Sequence, residues 1–111
     1  MTKEKLVLFI DRKTKEEYES LKDGRFEDKV LFSSLMNAIE ELKNNHDAGI
    51  KIQKSLWPGI YLTKFQINNL WKYNLPGGWR LIYTIEANEI RIVSIILEWF
   101  DHKEYEKRFK Y

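Results

Sequence analysis

The sequence has 111 residues, 43% of them hydrophobic and 32% charged, which suits one domain with one modest core and excludes a two-domain enzyme. Sixteen aromatics against five glycines and two prolines argue against intrinsic disorder, whose chains lack the apolar area to offset ordering entropy. The absence of cysteine excludes disulfides, thiolate zinc sites and cysteine nucleophiles, and two histidines do not suggest a His-rich metal centre. No apolar run approaches the ~20 residues of a membrane span, and Met1-Thr2-Lys3-Glu4 is unlike the start of a signal peptide. The expectation is a soluble intracellular protein.

The net charge of +2 conceals an uneven distribution. Residues 1 to 50 carry nine basic and eleven acidic side chains, residues 51 to 111 ten basic and six acidic. No acid occurs from Ala48 to Ile85, a stretch that holds Lys51, Lys54, Lys64, Lys72 and Arg80 together with seven aromatics. Cations interleaved with rings suit single-stranded nucleic acid, the cations on phosphates and the rings against bases.

In chain order, Leu6 to Ile10 reads as a first strand, interior because it is apolar on both faces. Thr14 with Glu17 forms a capping-box signature, so a helix is expected from there to about Lys22. Asp23-Gly24 interrupts it. A second helix follows from about Phe26 to Asn45, with Val30, Leu31, Leu35, Ile39 and Leu42 near one stripe and Gly49 as its stop. Ile50 to Asn68 reads as an irregular connection, with Ile60 to Phe65 compatible with a short helix. Asn69 to Leu75 and Trp79 to Glu86 flank Pro76-Gly77-Gly78 as a hairpin. After a turn at Ala87-Asn88, Glu89 to Leu97 is expected to pair antiparallel with the preceding strand. Asp101 to Tyr111 reads as a C-terminal helix.

These elements predict an α+β fold of order β-α-α-β-β-β-α, a single domain over residues 1–111. Two early helices should cover one face of a compact antiparallel sheet, the other face and the short C-terminal helix framing an open surface. A three-residue loop would place Asn74 opposite Arg80, Tyr73 opposite Leu81 and Lys72 opposite Ile82. Trp71, Tyr73, Leu75, Trp79, Leu81 and Tyr83 then face the helices, while Lys72, Asn74 and Arg80 face the other way. The Ala87-Asn88 turn would set Thr84 opposite Arg91 and add Arg91 to that cationic face.

Trp79-Arg80-Leu81-Ile82-Tyr83, preceded by a cationic strand and followed by a strand and His102…Tyr105, resembles the RelE/ParE toxin superfamily of type II toxin-antitoxin systems. The resemblance is best from Asn69 to Tyr105 and extends, through the element order, across the chain. It implies a cytoplasmic toxin neutralised by a cognate antitoxin protein. RelE-like members cleave messenger RNA on the ribosome, whereas ParE-like members inhibit DNA gyrase. By position, the resemblance assigns Lys72 to the cleaved phosphate, Arg80 to the central phosphate-binding arginine and Tyr105 to a substrate-contacting tyrosine. His102 resembles the C-terminal histidine of other ribonuclease members. Two positions depart from the RelE pattern, Asn74 standing for a second lysine and Trp99 near an expected arginine, and they favour the alternative of a gyrase-binding toxin or an inactive binding module.

For RNA cleavage by 2′-hydroxyl attack, the enzyme must neutralise charge at phosphorus and move protons. A guanidinium stays charged and binds phosphate through two donors, so Arg80 suits the first task with Lys72 as second cation. Imidazole titrates near neutral pH, which fits His102 as the acid for the leaving 5′-oxygen. No partner base is identified; Glu98, Tyr105 and a group of the ribosome are the candidates. Lys51, Lys54, Lys64 and Arg91 are candidate RNA contacts. No metal or organic cofactor is expected, and self-association is left open.

Overall fold

The computed structural model describes residues 3–110; Met1, Thr2 and the predicted helix end at Tyr111 lie outside them. The first strand, β1 (Glu4–Phe9), leads into α1 (Arg12–Ser20), a single 3-10 turn at Leu21–Asp23, and α2 (Phe26–Asn44). The helix α1 starts two residues before Thr14, because Asp11 is the N-cap and its carboxylate accepts from the Thr14 N–H at 2.8 Å. Beyond α2 come the two-residue β2 (Ile50–Lys51), a 3-10 turn at Lys54–Leu56 and α3 (Ile60–Thr63). The hairpin β3 (Trp71–Asn74) and β4 (Arg80–Ala87), then β5 (Arg91–Phe100) and α4 (His102–Phe109), complete the chain. The fold is α+β as expected, with β2 and α3 added within the segment read as irregular.

The five strands form one sheet in the order β1-β5-β4-β3-β2. Two expectations are corrected here. The sheet is mixed, since β1 runs parallel to β5, and β1 is an edge strand instead of an interior one. Its apolar character on both faces reflects helices above and a partly covered surface below, not flanking strands.

The β3–β4 hairpin has the predicted register: Lys72 pairs with Ile82, Tyr73 with Leu81 and Asn74 with Arg80. Gly77 and Gly78 adopt φ of 75° and 83°, a region costly for side chains with a Cβ, so the Pro-Gly-Gly loop fixes the register locally. The β4–β5 turn falls elsewhere than predicted. Thr84 pairs with Ile95, not Arg91, because the turn closes two residues later, around Glu89-Ile90: the Asn88 N–H donates to the Arg91 carbonyl at 2.9 Å, and the Asn88 side chain accepts from the Ile90 and Arg91 N–H groups at 2.9 and 2.8 Å. A bulge between Ile82 and Tyr83 lets Leu97 and Glu98 both serve the face away from α1 and α2.

The first core lies between α2 and the sheet, where Leu31, Leu35, Ala38 and Leu42 meet Leu75, Leu81, Tyr83 and Ile96, with Trp71, Tyr73, Trp79 and Trp99 packed against them. Val30, assigned to that stripe by periodicity, is instead exposed, and Ala38 takes its place. Gly49 does not stop α2, which ends at Asn44. Its N–H donates to the Tyr83 hydroxyl at 3.1 Å, and a Cβ there would come within 2.6 Å of that oxygen and 2.7 Å of the Lys72 carbonyl. Glycine is required by that close approach.

The opposite face is not open, contrary to the expectation of an open surface there. Ile52, Tyr61, Leu70, Ile82, Leu97, Tyr105 and Phe109 form a second core there, flanked by Trp57, Ile60 and Phe65. The 50–68 segment and α4 together roof this face, and Lys72 and Arg80 lie against Tyr105 of α4.

Candidate active site

Lys72 and Arg80 leave β3 and β4 on the same face, and Tyr105 comes to them from α4. The Lys72 Nζ donates to the Tyr105 hydroxyl at 3.2 Å and lies 5.3 Å from its ring centroid. The Arg80 Cζ lies 5.4 Å from the same centroid. One aromatic ring therefore holds two cations, a contact worth about 0.5–2 kcal/mol for each depending on desolvation. Arg80 also donates from Nη1 to the carbonyls of Gly78 and Trp79 at 2.7 and 3.2 Å, while its Nε is buried with no hydrogen-bond partner. Neither cation has a carboxylate within ion-pair distance among the described residues.

Tyr105 is 3% exposed and stacks on Phe109 at 4.7 Å. Its ring is a support beneath the two cations, and its faces are not open for a base to stack upon. His102 opens α4, whose N-cap Asp101 and Glu104 form a reciprocal capping box. The His102 Nε2 lies 2.6 Å from a Glu106 carboxylate oxygen, and the side chain is 60% exposed. A Cβ at Gly78 would sit 3.3 Å from the His102 Cβ, so the imidazole stands beside the loop whose carbonyl holds Arg80. Arg80, Lys72 and Tyr105 are thus brought together from two strands and one helix, with His102 on the same helix beside the loop at Gly78.

Glu98 is engaged elsewhere. Its carboxylate accepts from the Tyr61 hydroxyl and from the Arg108 Nη2 at 3.1 Å, and Arg108 lies 5.0 Å over the Phe100 ring. Burial, followed by the Glu98 charge, pushes the Tyr61 hydroxyl far above its ordinary titration range. This cluster ties α3 and α4 to β5.

The four candidate RNA contacts do not gather. Arg91 lies at the other end of the ten-residue β5 from Phe100, the residue opposite Arg80, roughly 30 Å away at the usual strand rise, and it pairs with Glu4 at 3.0 Å. The expected cationic face therefore loses Arg91. Lys51 sits opposite Trp71, the side of the sheet that faces α2. Lys54 is in an exposed turn. Lys64 lies against the Phe65 ring at 5.2 Å and lines a polar cleft with Lys13, Asp11 and Glu17.

Sequence reasoning missed two members of the site. Glu106 follows His102 by one helical turn, a spacing that was available to find it. The Gly78 carbonyl carries no side-chain signal, although the Pro-Gly-Gly loop marks its position. Among the described residues no group of three or more His, Asp or Glu is placed to hold a metal ion, and no helix is long and apolar enough to cross a membrane. Comparison with family models, with curated proteins and with solved structures finds no match to this chain.

Proposed function

We propose that the chain is a RelE-like toxin, an endoribonuclease that cleaves messenger RNA on the ribosome and is held inactive by a cognate antitoxin protein in the cytoplasm. The observation that supports this reading is the Arg80–Lys72 pair, two cations supported by a ring and by carbonyls, with an unused buried Nε and no carboxylate to neutralise them. Adjacent like charges without a counter-ion favour an anion between them, and a phosphodiester supplies one.

In the proposed reaction the RNA 2′-oxygen bonds to phosphorus as its proton leaves to base or solvent. The P–O5′ bond breaks, and His102 gives its proton to the leaving 5′-oxygen, leaving a 2′,3′-cyclic phosphate. Arg80 and Lys72 neutralise the charge that grows on the phosphoryl oxygens. Glu106, with a carboxylate oxygen 2.6 Å from the His102 Nε2, orients the imidazole. Glu98, already holding Tyr61 and Arg108, is given no role in proton transfer. Induced expression without antitoxin is expected to arrest growth and leave RNA ends carrying cyclic phosphate. Arrest with intact transcripts would overturn the assignment.

One observation favours the alternative, a non-catalytic toxin that binds DNA gyrase or an inactive module of the same fold. Asn74 stands directly opposite Arg80, and Trp99 packs into the first core, so neither position adds a cation. Supercoiling by purified gyrase, with and without the protein, separates the two readings.

A further inference from the structure

The long free edge of the sheet is β1, since the opposite edge ends in the two-residue β2. The N–H groups of Glu4 and Ile10 donate to the carbonyls of Ile90 and Ile96 at 3.0 and 2.9 Å. In a parallel ladder this alternation turns the backbone groups of Lys5, Val7 and Phe9 outward, away from β5. Such an edge is a template for another strand unless it is guarded.

The usual guards are engaged elsewhere. Lys5 donates its Nζ to the Asn44 carbonyl at the end of α2, 2.9 Å away, and Glu4 is paired with Arg91. No proline or glycine interrupts β1. Leu8 is 52% exposed, with Ile10 two residues on also exposed.

We infer that the occupant of this edge is β1 of a second copy, paired antiparallel about a two-fold axis at Val7. The axis can pass through any residue from Lys5 to Phe9, and charge and strand length choose between them; centred on Leu6 or Leu8 it sets one of the three outward residues against Lys3 or Asp11, outside β1. Centring on Lys5 sets that lysine against itself. Centring on Phe9 sets Lys5 against Lys13 and requires α1 to extend. Centring on Val7 sets Lys3 opposite Asp11, Lys5 opposite Phe9 and Leu6 opposite Leu8 of the second copy. That register pairs opposite charges, joins apolar side chains across the seam and forms about six inter-chain hydrogen bonds, two at each outward pair. The result is a continuous ten-stranded sheet with both candidate active sites intact. This inference does not depend on the reaction proposed above.

The natural chain has no cysteine, so one introduced thiol reports on one position. Val7→Cys is expected to oxidise to a linked species at twice the 13.5 kDa monomer mass, because a hydrogen-bonded antiparallel pair holds its Cα atoms about 5.5 Å apart, within disulfide range. Phe9→Cys alone should stay unlinked, since Phe9 faces Lys5 of the second copy. For the unmodified chain, sedimentation velocity is expected to show a concentration-dependent dimer, and Leu8→Lys, which alters an exposed side chain, to weaken it at least about tenfold, or about 1.4 kcal/mol. A monomer at every concentration, a dimer unaffected by Leu8→Lys, or linkage through Phe9→Cys in preference to Val7→Cys would each overturn the proposal. So would a dimer that forms only after a strand from a different protein has been added.

Discussion

Arg80 and Arg108 lie on the same face of the same sheet, each over an aromatic ring, at 5.4 Å from Tyr105 and 5.0 Å from Phe100. They differ in what satisfies the charge. Arg108 has the Glu98 carboxylate at 3.1 Å; Arg80 has only backbone carbonyls and a buried Nε without an acceptor. A paired guanidinium serves the fold, and its electrostatic attraction is used up inside the protein. An unpaired one retains its attraction for a ligand and contributes less to stability. The same residue type thus distinguishes a staple from a site.

The comparison breaks most sharply in paired substitutions. Arg80→Ala should slow single-turnover RNA cleavage by about a hundred- to a thousand-fold, or about 2.7–4 kcal/mol, and lower the urea midpoint less than Arg108→Ala does, because it loses a ring contact and carbonyl hydrogen bonds but no ion pair. Normal cleavage by the bound mutant would remove Arg80 from the mechanism. Arg108→Ala should do the reverse, costing about 2 kcal/mol in urea unfolding, between the values for surface and buried pairs, while the folded fraction turns over at close to the original rate.

A third substitution tests whether the missing carboxylate is what separates the two arginines. Asn74→Asp places an acid directly opposite Arg80 and should make it resemble Arg108. Stability is expected to rise by about 0.2–1 kcal/mol, and RNA affinity, followed by a filter-binding salt titration, to fall. A smaller effect follows from two tyrosines whose hydroxyls donate hydrogen bonds within the fold, Tyr73 to Glu41 and Tyr83 to the His46 carbonyl. Burial pushes the hydroxyls of Tyr73 and Tyr83 up to about 12, Tyr73 further through its hydrogen bond to Glu41 and Tyr83 through the charges of Asp47 and Glu41. Their folded-state titration lies above that of the unfolded chain, so the stability they contribute is complete below about pH 10 and is lost as the pH rises toward about 12. Ultraviolet absorbance of phenolate against pH, compared with unfolding by circular dichroism, should show both events together in that window.

What could be read from the sequence was local. The β3–β4 register followed from two glycines that tolerate positive φ, and alternation then placed Lys72 and Arg80 on one face. The α2 boundaries followed from an apolar period closed by polar ends. Non-local pairing could not be read in this way. Nothing in Leu6 to Ile10 names β5 as its neighbour, and the parallel edge position emerges only from the assembled sheet. The roof over the second face was missed because Trp57, Tyr61 and Phe65, although four apart and each buried or partly buried, lie in a segment broken by Pro58-Gly59 in which only the four-residue α3 is helical. Arg91 was misplaced by a turn whose Asn88 accepts hydrogen bonds at its start. Tyr105 was found as a site residue, but its burial, and so its role as a support, depended on that unread roof.

The pairing of β1 with β5 has a consequence for the order in which the molecule assembles. Glu4 and Arg91, which meet at one end of this ladder, are 87 residues apart in the chain. Closing so long a loop carries an entropic cost that no neighbouring contact repays in advance, whereas β3, β4 and β5 are joined by short turns and can zip together in sequence. During synthesis the first strand to emerge must therefore wait, apolar and unpaired, until the last strand is complete. α4 follows β5, so Tyr105 reaches Lys72 and Arg80 only after β5 has been made. The candidate site is completed late in folding, and a nascent chain stalled before β5 would carry its cations without the ring that supports them.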